Sequence, residues 1–395
     1  MPAAFVPLFL AVTTAMLGLG IIAPIMPLYV RNFGASGIEL GLVLAAFSVS
    51  RLVLGPLIGA LSDRVNRKGL IVGGLAMYAL VSLAYVLAQS LWHVALLRLL
   101  QGAASTLVTP IAQAYVGDRT APGREGRTLT TFYTSMFIGM GLGPVFGGNL
   151  AEHFGLRAPF YAMALFAVLA LVGVAVFVPP DRRGTRVAAG APRPWRELVH
   201  SSDVWGIVVY MATRGFWRTA FNAFWPLIAA ERGFGEGMIG TVLTVYFIGE
   251  ILLQIPAGFL ADRIPPRPQI AVGGVLAAAP LLVVPLVQNP AVLLALSFVM
   301  GAASALGRGS VIALRTELGR THGMGTLAGV QESAFSAGQA LGPTAAGAMY
   351  TLAGLDAPMY FSGALGLVGT AAAAIILSPH PASPKTVGTG SRPRR

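Results

Sequence analysis

Twelve long apolar runs succeed one another along this chain, with little between them from which a soluble core could be built. A run of 18 or more residues with few charges can cross a bilayer. In lipid, every backbone polar group must be satisfied within the segment, so a single-run span has to be helical. Hydropathy places the spans at approximately 7–30, 37–61, 70–89, 92–116, 128–150, 158–178, 203–229, 238–261, 269–287, 291–314, 325–350 and 358–377. The expected fold is an all-α polytopic membrane protein. It has a six-helix bundle over 1–178, a basic linker over 179–202, a second six-helix bundle over 203–378 and a disordered polar tail over 379–395. Composition agrees: 55% of the 395 residues are hydrophobic and 11% charged, against about 25% charged in a typical soluble domain.

Several chemistries drop out. The chain has no Cys, which removes disulfides, thiolate metal sites and cysteine nucleophiles. His93, His153, His200, His322 and His380 fall at loops or span ends, which argues against a histidine proton relay in the membrane. No phosphate-binding loop, zinc-protease motif or serine-hydrolase elbow occurs. Neither a cofactor nor a metal is expected, and the chain does not read as an enzyme. The first run lacks a basic flank and a small-residue cleavage site, so it reads as a retained first span.

Of the 27 Lys and Arg, 19 fall in alternate loops, the linker and the tail, and three fall in the opposite loops. Basic loops stay in the cytoplasm. Both termini are therefore expected there, with the chain in the cytoplasmic (inner) membrane. The net charge of +12 is scattered over separate short loops. It reads as a topology signal that touches anionic lipid, not as a nucleic-acid surface.

The chain also repeats itself. Gly59-Ala-Leu-Ser-Asp63-Arg64 recurs as Gly258-Phe-Leu-Ala-Asp262-Arg263, and Gly102-Ala-Ala-Ser105 recurs as Gly301-Ala-Ala-Ser304. Gly143-Pro144 recurs as Gly342-Pro343, with Gly147 matched to Gly347 one place late. The first residues of each pair lie 199 apart. Repeats of six spans each enter the membrane from the same side. They relate by an axis along the membrane normal, which favours a substrate site between them.

These motifs resemble those of the major facilitator superfamily. Gly59-x-Leu-x-Asp63-Arg64-x-x-Arg67-Lys68 resembles its loop between spans 2 and 3, with Asn66 where the family has Gly; Asn tolerates the left-handed turn. Arg98-x-x-Gln101-Gly102 resembles the span 4 motif. Gly139-x-Gly141-x-Gly143-Pro144-x-x-Gly147-Gly148 resembles the span 5 motif of drug–proton exporters, and Pro24-Ile-Met-Pro27 a span 1 motif of that branch. The resemblance implies a secondary-active carrier working by alternating access, most simply a monomeric proton-coupled exporter of a small organic solute or drug. Importers, uniporters and lipid flippases share the fold. A receptor or scaffold that moves no solute is the reading from another class.

The resemblance also implies a gate. Asp63 would sit against the N-terminus of span 11, with Arg64, Arg67 and Lys68 on nearby acceptors and Asp262 and Arg263 as the repeat's counterparts. Gly139, Gly143 and Gly147 are expected to let span 5 approach span 8 closely, with Pro144 as a kink; packing of helices within one half is the competing reading.

Ionisable residues inside spans are costly and usually functional. Arg51, Arg98, Arg214, Arg218, Glu250, Arg308 and Glu332 all fall on spans that line the cavity in the resembled family. Glu250 lies about 18 Å into span 8 at 1.5 Å per residue, and Arg218 matches its depth across the span 7–8 hairpin. Burial opposes ionisation of a carboxyl and a nearby Arg favours it. Glu250 is therefore the expected proton carrier, with Asp63 a secondary candidate and Arg98 assisting release. A static Arg218–Glu250 pair is the competing reading. Arg98 bound only within its own half, through Gln101 or carbonyls, is another. Glu332 is a candidate partner for Arg51 or Arg308. Five Arg against two Glu favour an anionic or polyhydroxylated solute, with Asn222, Tyr246 and Gln254 placed to hydrogen-bond it. Trp217, Phe221, Phe224, Trp225 and Tyr133 are further stacking candidates, or lipid-facing residues.

Overall fold

A computed structural model describes residues 5–62, 65–118, 125–179, 200–261, 263–322 and 324–378. The described residues form thirteen α-helices and no strand. They are α1 (Phe5–Ile21), α2 (Met26–Arg31), α3 (Gly37–Ser62), α4 (Arg67–Val86), α5 (Leu91–Asp118), α6 (Glu125–Phe154), α7 (Ala158–Phe177), α8 (Ser202–Glu231), α9 (Glu236–Ala261), α10 (Pro266–Val283), α11 (Pro290–His322), α12 (Met324–Ala353) and α13 (Ala357–Ile376). A 3-10 turn, Val284–Leu286, prolongs α10. By length and composition, α3, α4, α5, α7, α9, α10, α11 and α13 can cross a membrane. The 30-residue helices α6, α8 and α12 carry more polar and small residues, many of which face the interior.

The first span is not one helix. It breaks at Ile22–Ile25, so α1 and α2 together occupy the place expected of a single helix over 7–30. Pro24 has no N–H to give and disfavours helix in the residue before it. The remaining donors close tight turns, with Ala23 N–H on Gly20 O (3.1 Å) and Ile25 N–H on Ile22 O (3.1 Å). Each later helix then corresponds to the span numbered one lower.

Two bundles follow from which helices touch. In the first, α1 packs on α6 and α7, α3 on α5, and α4 on α5 and α7. In the second, α8 packs on α12 and α13, α9 on α11, and α10 on α11 and α13. Each pairing in one bundle has its counterpart in the other. The bundles meet chiefly along α3–α12 and α6–α9, which are themselves counterparts.

Those two seams are clasped at one end. A side chain placed on Gly41 would strike the Pro343 carbonyl, and one on Gly240 the Pro144 carbonyl. Gly347 abuts Gly37, and Gly148 abuts Glu236 and Gly237. Gly41 and Gly240, Pro144 and Pro343, and Gly148 and Gly347 are each 199 residues apart. The repeat mate of Gly347 is therefore Gly148, not Gly147. Polar contacts cross the seam here too. Val145 N–H donates to Thr244 Oγ1 (3.0 Å), Gly237 N–H donates to Glu152 Oε2 (2.7 Å), and Arg31 pairs with Glu231. At the opposite end, Gly55 and Gly59 of α3, Gly258 of α9 and Gly329 of α12 have no atom within 4 Å of where a side chain would begin. Among the described residues, the bundles are thus clasped at the Arg31–Glu231 end and make no such close backbone contact at the end carrying Arg67, Lys68 and Arg263.

The expected contact of the Gly139, Gly143 and Gly147 stripe with span 8 does not form. Gly139 abuts Thr13, Met16 and Leu17, Gly143 abuts Gly20 and Ile21, and Gly147 abuts Ile21, all on α1 in the same bundle. Residues four apart share a helix face, whereas residues two apart lie about 200° apart around the axis. The opposite face, with Gly141, Pro144 and Gly148, is the one that meets α9, where Gly141 lies against Phe247 and Ile251.

Candidate functional site

The second bundle holds a charged cluster at its centre. Glu250 on α9 is fully buried. Its Oε1 accepts from Arg214 of α8 at 2.5 Å and from Arg308 of α11 at 3.2 Å. Its Oε2 has Arg218 of α8 at 3.9 Å and no hydrogen-bond donor. Arg214 and Arg218 are four residues apart, so α8 presents both on one face. Arg214 is nearer to Glu250 than Arg218, the partner expected from hairpin depth. Arg214 Nε also donates to Ser304 Oγ (2.9 Å), which receives the Tyr246 hydroxyl at 3.3 Å. Close helix contact makes this reach possible, since Gly301 of α11 abuts the backbone of Tyr246 and Glu250.

Aromatic faces support the guanidiniums. Arg214 lies 5.3 Å from the Phe335 ring centroid and Arg218 5.2 Å from that of Phe247. Arg308 lies 4.9 Å from Phe137 of α6, which belongs to the other bundle. One carboxylate thus faces three guanidiniums. Truncating one partner of such a buried pair costs about 3–5 kcal/mol, because the other charge is left stranded.

The first bundle carries cations without an internal acid among its described span residues. Arg98 Nη1 donates to Gln101 Oε1 (3.0 Å) and Nη2 to Leu44 O (3.2 Å), while Tyr85 OH donates to the same Gln101 oxygen (3.1 Å). Arg98 is therefore held within its own bundle. Phe47 lies beneath both Arg98 (5.0 Å) and Arg51 (5.8 Å). Arg51 meets Glu332 of α12 across the seam at 3.9 Å, with the Glu332 side chain 62% exposed. Glu332 therefore faces Arg51 and not Arg308.

The other expected site residues are dispersed. Asn222 and Gln254 are half-buried, and Gln254 Oε1, one turn beyond Glu250, has no hydrogen-bond partner. Tyr246 is fully buried, so it packs under the cluster and lines no open surface. Trp217, Phe221, Phe224 and Trp225 are 0–2% exposed within the main apolar core, facing neither lipid nor an open cavity. Tyr133's side chain, Asp63, Arg64 and Asp262 lie outside the described residues. Gly59 and Arg263 are exposed, Arg67 is buried, and Lys68 Nζ donates to Ala175 O of α7 (2.8 Å). Asn66 is extended (φ −66°, ψ 114°) and caps α4 by accepting from Lys68 N–H, so it makes no left-handed turn.

Sequence reasoning missed Phe137, Ser304, Glu152 and the Arg31–Glu231 pair. Ser304 was within reach, since it closes the repeated Gly301-Ala-Ala-Ser304 motif. Phe137 lies four residues before Gly141, on the face of α6 that meets α9.

Two helical bundles that meet along two seams around a buried charged cluster are the architecture of a membrane carrier. The chain belongs to the Major Facilitator Superfamily, whose family model matches residues 8–218 and 207–394. It is 35% identical over 159 residues to an uncharacterised transporter of that type from Methanocaldococcus jannaschii, covering 40% of this chain and 41% of that protein. It is 26% identical over 379 residues to multidrug resistance protein 2 of Bacillus subtilis, covering 92% of this chain and 93% of that protein. Among solved structures it is similar to a bacterial homologue of the human lysosomal transporter Spinster in an inward-facing, unoccupied conformation. That similarity has a TM-score of 0.76 and 16% identity, with 94% of each chain covered.

Proposed function

We propose that this transporter is a proton-coupled exporter that exchanges protons for a small organic solute bearing a carboxylate or similar acceptor groups. The observation that carries the reading is Glu250. It is a fully buried carboxylate that gives one oxygen to two guanidiniums and leaves the other without a donor. An added proton on Oε2 would meet no competing donor there. The excess of Arg over Glu in the interior supports an acceptor-rich solute, met by Arg51, Arg218 and Arg308 at the half-buried edge of the cavity. Glu332, exposed beside Arg51, is placed to accept from a donor on the same solute. Efflux is supported by the names of relatives: the full-length Bacillus match, and a quinolone resistance protein of Staphylococcus aureus that is 24% identical over 262 residues, covering 62% of this chain and 66% of that protein. In this reading the basic loops face the cytoplasm of a bacterial-type inner membrane and the clasped end faces outward. The loops bearing Asp63, Arg64, Arg67, Lys68, Asp262 and Arg263 close the cytoplasmic end when the clasp opens.

The test uses proteoliposomes, an imposed pH gradient and a fluorescent quinolone as probe. The wild type is expected to move the probe against its concentration gradient, driven by protons. Glu250→Gln, which keeps the shape but cannot titrate, should retain downhill exchange and lose the response to the gradient. Unaltered proton coupling in that variant would sink the assignment.

A further inference from the structure

Among the described residues, every charged partner of Glu250 belongs to its own bundle. Arg214 and Arg218 come from α8 and Arg308 from α11, with Tyr210 of α8 and Tyr246 of α9 as the other titratable neighbours. Among the described residues, α12 and α6 meet the cluster through rings, Phe335 and Phe137, while Glu332, one turn before Phe335 on α12, is exposed and turned to Arg51. If the bundles rocked as rigid bodies, Glu250 would keep the same charged partners in both states, and only solvent access and solute would distinguish proton loading from release. One contact breaks that isolation. The Arg308 guanidinium hydrogen-bonds Glu250 at 3.2 Å and at the same time stacks on Phe137 of the opposite bundle at 4.9 Å.

We propose that Phe137 is a positioning residue for proton coupling: its ring holds the Arg308 guanidinium across the bundle seam, so that rocking moves Arg308 toward or away from Glu250. A guanidinium over an aromatic face contributes about 0.5–2 kcal/mol, more when desolvated. Arg308 has only a 19% exposed side chain, and its long stem can follow the ring without moving α11. Phe137 sits where the α6–α9 seam loosens. Backbones touch at Gly148 and Gly240, a side chain intervenes at Gly141, and the ring of Phe137 carries the contact at the level of the cluster. Phe137 therefore lies about 16 Å along α6 from the clasped Gly148 at 1.5 Å per residue, where rocking about the clasp displaces it most among these contacts. With Arg308 drawn away, Glu250 faces one cation fewer and accepts a proton more readily. With Arg308 returned, as in this structure, all three guanidiniums stand beside the carboxylate. No group other than the proton changes hands.

The inference rests on the proton-coupled reading above, and the experiment separates the two. Quinolone transport in proteoliposomes is measured over a range of pH for the wild type, Phe137→Leu and Phe137→Tyr, with the same ring removal repeated in an Arg308→Gln background. A wild type indifferent to pH and to a proton gradient overturns the function itself. Given a coupled wild type, Phe137→Leu should shift the midpoint of the pH profile by about one unit toward acid, as expected if one guanidinium stays beside the carboxylate. Phe137→Tyr, which keeps the ring, should restore the wild-type midpoint. In the Arg308→Gln background, Phe137→Leu should produce no further shift. A Phe137→Leu variant that slows transport with an unchanged midpoint, or one that shifts it equally without Arg308, overturns the inference. If Phe137→Leu fails to fold, Phe137→Met serves as the ring-free variant under the same criteria.

Discussion

At the scale of single residues, the interior is organised by one acid and the order in which three arginines reach it. Arg214 is the innermost, with a 3% exposed side chain and bonds to both Glu250 and Ser304; Arg218 approaches only to 3.9 Å. Arg214→Gln should therefore destabilise the protein by about 3–5 kcal/mol, read as a marked fall in melting temperature in detergent. Arg218→Gln should cost clearly less; equal losses would mean that the hydrogen-bonding hierarchy is wrong. The depth of Glu250 was legible because charges are scarce in spans and helix rise converts position to depth. Its nearest partner was not, since counting back from a hairpin gives depth and leaves rotation about the helix axis undetermined. Arg308 was legible as an intramembrane charge, but its pairing with Glu250 was not, for a related reason. It arrives from a helix whose register against α9 is set by the Gly301 crossing, a contact between backbones.

At the scale of an element, α6 shows how one glycine-rich motif serves two neighbours. Its glycines at four-residue spacing fit against α1, and the face turned away from them forms the seam with α9. Gly143→Ala should overpack the first bundle against Gly20, at about 1–3 kcal/mol, and lower the melting temperature. Gly240→Ala should instead press the two bundles apart at the Pro144 carbonyl while leaving each bundle sound. The chain has no Cys, so a single Thr244→Cys reports on that seam. Thr244 is buried there, accepting from Val145 N–H. Thiol labelling at this position should accelerate in Gly240→Ala, by roughly tenfold for each 1.4 kcal/mol of clash, and not in Gly143→Ala. The motif itself was legible in the sequence. Which of its faces crosses the seam was not, because both faces are rich in small residues and spacing alone names no neighbour.

At the scale of the whole molecule, the 199-residue offset carries the architecture. It pairs helix with helix, seam with seam, and the Gly41–Pro343 contact with the Gly240–Pro144 contact. The symmetry lapses at the charges: Arg51, the repeat mate of Glu250, turns to Glu332 across the seam, while Glu250 gathers arginines within its own bundle. That asymmetry fits the proposed exchange of unlike species, in which the clasp serves both halves alike and the second bundle alone would hold the proton. If solute binds only the arrangement in which Arg308 stands beside Glu250, and the proton only the other, solute binding must expel the proton even without a membrane. The decisive measurement is proton release from the purified protein in weakly buffered detergent solution as quinolone is added, followed with a pH-sensitive dye. Release of up to about one proton per molecule is expected on saturation, abolished in Glu250→Gln although the probe still binds. No release from the wild type on binding, or the same release from Glu250→Gln, would contradict it.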